Sequence, residues 1–502
     1  MIIGSATVSV PIETTPRFAT GVPGLDRVLH GGLPRGALIL VEGAPGSGKT
    51  TVALQFLIQA VRAGESCLLA TSAESPQQLR SIAASHGWSL DGINITGLSE
   101  PSSAEDKGLD YTLFPEAEVE IGETFDHLFS EVERLKPKLL VLDTISSLRV
   151  LAPTAAFHRR QLKRIRDFMA ARDCTTVMLD EASTTEKDLR SKTMSDGIIE
   201  LRQKPSSYGA DRRALRVSKL RGCSYVSGSH DVTLAAGGLT VHPRLVAQSF
   251  PSLVTAPALD SGNSQIDALV GGGLPRGSNT LIAGPAGVGK STISSLYVMA
   301  AAKCGEKCAV FLFDESEESY IARSEGLGLD LRAEVEAGRI ELRHLDPAQL
   351  SVGEIADLVV DRVEKQGVKL VVMDTLNGYL QSAMEEPSVI LHIRELLSYL
   401  NRRQIVTIMT LTQHGIFGTE LSSPMDFSFL ADNVFLLRFF ELDGALHKAF
   451  SIVKKRSGPH EHTIRKLMMR AGGVDVSEPL TGFTGVLTGT PVYQAEFIVP
   501  IP

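Results

Sequence analysis

Short, wholly apolar runs alternate along this chain with longer stretches whose apolar residues recur at helical spacing. In the first half the runs are ALILVE (37–42), SCLLAT (66–71), KLLVLD (138–143) and TTVML (175–179). Between them lie TVALQFLIQAVRAG (51–64) and FHRRQLKRIRDFMAAR (157–172), with apolar positions three and four residues apart. In the second half NTLIAG (279–284), CAVFLF (308–313), KLVVMD (369–374) and QIVTIMTL (404–411) play the strand parts. Strands that are apolar on both faces, alternating with helices, predict an α/β fold: a mostly parallel sheet covered by helices on both sides.

The pattern occurs twice. GVPGLDRVLHGGLPRGALILVEGAPGSGKTT (21–51) returns as SGNSQIDALVGGGLPRGSNTLIAGPAGVGKST (261–292). Asp26 maps to Asp267, Pro34 to Pro275 and Lys49 to Lys290, each displaced by 241 residues (290 − 49). Thr144 maps to Thr375 and the KLR at 219–221 to the KKR at 454–456, displaced by 231 and 235 residues (375 − 144; 454 − 219). Drifting offsets with a constant order of landmarks mark a duplicated domain with loop insertions. The expected organisation is a tail (1–17), a first domain (18–247), a linker (248–260), a second domain (261–491) and a short C-terminal tail (492–502). The linker expectation rests on SFPSLVTAPALDSG (249–262), where Pro, Ser and Gly cluster without periodicity.

A chain of 502 residues has room for two such cores. No apolar run approaches the roughly 18 residues of a membrane span, and the N-terminus lacks the basic and apolar regions of a secretory signal. Five scattered cysteines with no CxxC sets argue against a structural zinc site and fit a reduced, cytoplasmic chain. The net charge of −8 gives no general attraction to nucleic acid.

Candidate chemistry begins with GxxxxGK[ST], present at 43–50 and again at 284–291, each copy after a strand and before a helix. Glycines turn backbone N–H groups around phosphates, and the helix N-terminus adds partial positive charge. The expected ATP-binding residues are Gly43, Gly46, Ser47, Gly48, Lys49, Thr50 and Thr51, and Gly284, Gly287, Val288, Gly289, Lys290, Ser291 and Thr292. The two lysines would reach the β- and γ-phosphates. The hydroxyls of Thr50 and Ser291 would serve Mg²⁺ together with Asp143 and Asp374, which end apolar strands downstream.

These residues resemble the KaiC family, a double-domain branch of the RecA-like ATPases, over roughly residues 18–491. The resemblance is carried by GLD…HGGLPRG, TSAESPQQL, FDESEESY, KLRG and KKRSGPH. It implies hexameric rings with ATP at subunit interfaces, slow hydrolysis in one ring and autophosphorylation on Ser and Thr in the other. The family's pair of adjacent glutamates after the second strand maps to Ala73-Glu74 and to Asp314-Glu315. Glu74, Asp314 and Glu315 are therefore the candidate catalytic acids, and Ala73 leaves the first half short of one carboxylate. Lys219, Arg221, Lys454, Arg456 and His460 match residues that reach ATP on the neighbouring subunit, while Tyr225 stands where the first half would carry the histidine. Ser85 and Leu327 are the candidates for adenine contact. Ser428 stands at a family phosphosite, but Phe429 replaces the adjoining threonine, so a two-site cycle is not expected; Ser422 and Ser423 are nearby alternatives. The short end at PVYQAEFIVPIP makes control through a long C-terminal tail doubtful.

Three readings stay open on the sequence. One is a self-assembling ring ATPase, with or without autokinase activity, that signals to an unknown partner protein without nucleic acid or membrane. Another is a nucleic-acid motor of the RecA, RadA or DnaB type, which would need a basic or zinc module that the sequence does not display. The third is a scaffold that binds ATP for assembly and scarcely hydrolyses it.

Overall fold

The computed structural model describes residues 16–72, 74–98, 116–146, 154–182, 189–206, 209–253, 257–382, 389–413, 427–488 and 492–493. The chain divides between Arg244 and Leu245 into two compact units. That division falls just ahead of the stretch expected to be a linker. Leu245, Ala247 and Phe250 are apolar and pack on the second unit's core, Ala247 N donating to Glu395 at 3.0 Å and Arg402 Nε to Phe250 O at 2.8 Å.

Each unit is built on one nine-stranded sheet. In the first, six parallel strands run in the spatial order Asn94–Gly97, Cys67–Thr71, Leu139–Asp143, Thr175–Glu181, Leu38–Gly43, Gly197–Lys204. Arg212–Leu220, Ser229–Ala235 and Gly238–His242 extend it as an antiparallel ribbon. The second sheet repeats the order with Ile340–His344, Cys308–Leu312, Leu370–Asp374, Val406–Thr412, Asn279–Gly284 and Asn433–Leu442. Its ribbon is Ala445–Lys455, Arg465–Arg470 and Gly473–Pro479.

Every apolar run expected to be a strand is one, within a residue or two at each end. The ribbons were not legible. A strand such as RRALRVSKL exposes one face, and its alternating polar positions lack the continuous apolar signal of a buried strand.

Side-chain alternation explains why helices cover both faces. In the first sheet Ile39 and Val41 enter a core with Leu54, Phe56 and Leu57 of the helix Lys49–Arg62. Leu38 and Leu40 point the other way, into a core with Phe125, Leu128, Leu162 and Ile165. The second unit has the same two layers, one holding Ile282, Tyr297 and Phe450, the other Leu281, Phe311 and Leu397. These cores anchor the carboxyl ends of the parallel strands, where ligands bind in open α/β sheets. Among the described residues no helix is long and apolar enough to cross a membrane.

Candidate nucleotide sites

Both glycine-rich loops leave the central strand of their sheet and enter a 14-residue helix, Lys49–Arg62 or Lys290–Lys303. Gly46 and Gly48 have φ of 77° and 101°, and Gly287 and Gly289 have 76° and 113°, values that L side chains adopt only under strain. The first glycine of each loop serves a different need. A Cβ on Gly43 would lie 2.7 Å from Leu201 O, and one on Gly284 would lie 2.5 Å from Leu437 O.

The lysines curl back over the loops they end. Lys49 Nζ donates to Gly43 O at 2.8 Å and Ala44 O at 3.1 Å; Lys290 Nζ donates to Gly284 O at 3.0 Å and Pro285 O at 2.9 Å. Burial lowers both pKa values, that of Lys290 to about 8, with Asp374 and Asp314 opposing the shift. Thr51, Thr292 and Val288 are buried, and Ser47 Oγ is buried without a hydrogen-bond partner.

Asp143 and Asp374 stand at strand tips, each two strands from the P-loop strand of its own sheet and each followed by a cis peptide bond to threonine. Thr50 Oγ1 donates to Asp143 Oδ2 at 3.3 Å. Asp374 Oδ1 accepts from Thr410 Oγ1 at 2.6 Å, whereas Oδ2 is buried with no well-formed hydrogen bond, although Ser291 is close enough to restrain its titration. Burial raises both carboxyls above the usual range. An anionic oxygen left bare beside a hydroxyl suits a hard cation, and the loop amides suit a polyphosphate.

The second unit has a cavity of about 550 Å³ beside its loop, lined by Gly287, Lys290, Ser291, Thr292 and Leu327 among others. Leu327, the adenine candidate of the second unit, is thus a lining residue of this cavity. Ser85, at the end of the helix Pro76–Ser85, is exposed and donates to Ile82 O at 2.7 Å. Four further lining residues, Arg323, Gly326, Lys448 and Met469, escaped the sequence reading. Lys448 and Met469 come from the antiparallel ribbon, and no motif links them to the loop.

The candidate acids follow the strand beside the Asp tip, immediately before a serine that caps the next helix. Ser75 accepts from Gln78 N and Ser316 from Ser319 N, both at 3.3 Å. The two sites then diverge. Glu74 Oε2 is buried without a partner, and burial followed by the nearby Asp143 raises its pKa. Glu315 is engaged by Ser319 Oγ at 3.0 Å and by Arg323 Nη2 at 3.1 Å. Asp314 Oδ2 accepts from Thr375 Oγ1 at 2.7 Å. Ala73 lies outside the described residues. Lys49 has two acidic neighbours that sequence reasoning missed, Glu181 and Asp180, at the end of the strand between its own and that of Asp143.

The basic pairs sit on the ribbon, and neither Lys454 nor Arg456 lines its own unit's cavity. Lys454 Nζ donates to Ser428 O at 2.9 Å and Ala431 O at 2.8 Å, and Arg456 pairs with Asp432 at 3.0 Å. The first unit repeats this: Lys219 Nζ donates to Lys192 O at 3.0 Å, and Arg221 lies 3.6 Å from Asp196. His460 packs edge-on to His462 at 4.4 Å with Nε2 unpartnered, and burial lowers its pKa. Tyr225 packs on the first core. Ser428 lies in a short 3-10 turn, while Ser422 and Ser423 are outside the described residues.

Two sheets of one topology, each with a phosphate loop on its central strand and an aspartate two strands further along, define a tandem RecA-like P-loop ATPase. The chain belongs to the KaiC family: the family model described as KaiC ATPase matches residues 18–246 and 259–481. Among its relatives is circadian clock protein KaiC3 of Synechocystis, 25% identical over 96% of this chain and 95% of that one. KaiC2 of the same organism is 27% identical over 94% and 83%. The circadian clock oscillator protein KaiC of Parathermosynechococcus lividus is 23% identical over 95% and 88%.

Proposed function

We propose that the chain is a ring-forming Mg²⁺-dependent ATP hydrolase whose second unit can transfer a phosphoryl group to its own Ser428, acting as a regulatory protein in the cytoplasm. The observation that carries this reading is the second-unit cavity, lined by Lys290, Ser291 and Leu327, with an Asp374 oxygen that lacks a well-formed hydrogen bond beside the loop hydroxyl. A bound Mg²⁺ would be held by Ser291 and Asp374, and by Thr50 and Asp143 in the first unit, and would offset charge on the phosphates. Lys290 and Lys49 would leave their loop carbonyls for the phosphates. Asp314 and Glu315 supply carboxylates that can take a proton from an attacking water or hydroxyl, and Glu74 supplies one in the first unit.

Lys454, Arg456 and His460 are not among the residues that line their own unit's cavity, and Lys219 and Arg221 take the equivalent places in the first unit, which supports delivery to ATP on a neighbouring copy in a homohexamer. The first unit, with Ala73, is suited to holding ATP and closing the ring. Incubation with Mg·ATP followed by sizing, ADP assay and intact-mass measurement tests all three parts. A monomer that makes no ADP and gains no phosphate refutes the reading.

A further inference from the structure

Glu315 ends its strand in a loop, where a lone glutamate would sample many rotamers. It does not stand alone. Its Oε1 accepts from Ser319 Oγ at 3.0 Å and Arg323 Nε at 3.4 Å, and its Oε2 accepts from Arg323 Nη2 at 3.1 Å. An ionised carboxylate has about four acceptor positions, so three donors still leave it able to accept a further hydrogen.

Arg323 is itself held. It lies on the helix Glu317–Glu325, three residues after Tyr320, and its guanidinium carbon stands 4.6 Å from the Tyr320 ring centroid. Tyr320 is fully buried, and its hydroxyl lies within hydrogen-bonding distance of Ser295 Oγ at 2.9 Å. Ser295 lies one turn into the P-loop helix and donates in turn to Ser291 O at 2.8 Å. An unbroken chain of contacts thus joins the phosphate-loop helix to the acid. Arg323 also lines the nucleotide cavity, and its Nη1 is buried without a partner.

The first unit has none of this. With Glu74 placed on Glu315 (315 − 74 = 241), Ser295, Ser319, Tyr320 and Arg323 fall on Leu54, Gln78, Leu79 and Ile82. Leu54 and Leu79 are buried core residues, Ile82 packs against them, and Glu74 Oε2 has no partner.

We infer that Arg323 is a positioning residue of the second site, fixing Glu315 against the P-loop helix so that turnover there depends on it. The inference rests on the reading of Glu315 as an acting acid. The test uses the full chain with Lys49→Ala, so that turnover reports the second site, carrying R323M, R323K, E315Q or R323M with E315Q. R323M lowers kcat about tenfold while KM for ATP stays within about threefold, because the lost interaction acts on the reaction step and not on ground-state binding. R323K restores part of the rate, and R323M adds little to E315Q, the non-additivity expected of two residues in one interaction.

Unchanged or raised kcat in R323M overturns the inference, as does a loss confined to KM, which would make Arg323 a nucleotide contact only. Fully additive losses overturn it too. If E315Q leaves kcat unchanged, the reading of the acid falls and the inference with it. If E315Q is inactive but R323M is not impaired, only the inference falls. Should R323M fail to fold, R323Q carries the same comparison.

Discussion

Titrating nucleotide binding against pH perturbs Lys290, a group whose behaviour the fold dictates. Burial at the head of the P-loop helix pulls its pKa from 10.5 to about 8, and the helix N-terminus itself disfavours a cation. The gap of 2.5 units (10.5 − 8) corresponds to about 3 kcal/mol against the charged form. In the free protein at pH 8.5, a pKa near 8 leaves about a quarter of the molecules charged at this position. A triphosphate in the cavity brings negative charge to the ammonium and favours protonation. Binding at pH 8.5 should therefore take up most of a proton at this site, against only a small fraction of one at pH 7. Affinity should weaken as pH rises from about 8 towards 10.5.

Calorimetry of a non-hydrolysable ATP analogue reads this directly. The Lys49→Ala chain would be titrated in buffers of different ionisation enthalpy at both pH values. Equal proton uptake at pH 7 and pH 8.5 would refute the reasoning. In the unliganded fold the sign reverses. The folded pKa lies below the unfolded one, so the penalty of the buried ammonium is fully present below pH 8. It is relieved between about 8 and 10.5, and the stability of the empty second unit should rise through that window.

Other perturbations have outcomes as definite. Gly284→Ala places a Cβ 2.5 Å from the Leu437 carbonyl oxygen, a backbone atom that cannot swing aside. It should destabilise the second unit by about 1–3 kcal/mol, seen in thermal melts, and an unchanged melt would contradict the packing. Asp374→Asn keeps the Thr410 contact at similar size but removes the anion. It should lower Mg²⁺-dependent turnover of the Lys49→Ala chain by about a hundredfold; full activity would exclude Asp374 from the metal site. Phe450 is fully buried, edge-on to Phe435 at 5.7 Å, and Phe450→Ala should cost about 3–5 kcal/mol in denaturant unfolding. A loss under about 1 kcal/mol would mean that the layer collapses around the cavity.

Much of this protein is determined locally and is legible in its sequence. Runs such as LLVLD and LVVMD are buried on both faces, so an unbroken apolar signal marks each central strand. The phosphate loops need glycine at left-handed positions and a lysine at the helix start, requirements met within eight residues. The acids precede a capping serine, again a local device. Tertiary structure decided what distant segments do to these parts. Lys448 and Met469 reach the cavity from a ribbon more than 150 residues downstream, through strands whose half-exposed faces carry no continuous pattern. Glu181 approaches Lys49 because the sheet order sets its strand beside the P-loop strand. Tyr320 reads as an ordinary core aromatic and Arg323 as an ordinary surface cation. Packing against the P-loop helix is what stacks one on the other and turns the guanidinium onto Glu315. Residue type and spacing specify the chemistry each segment can offer, but which charges meet depends on long-range strand order and helix packing, and these leave no periodic trace along the chain.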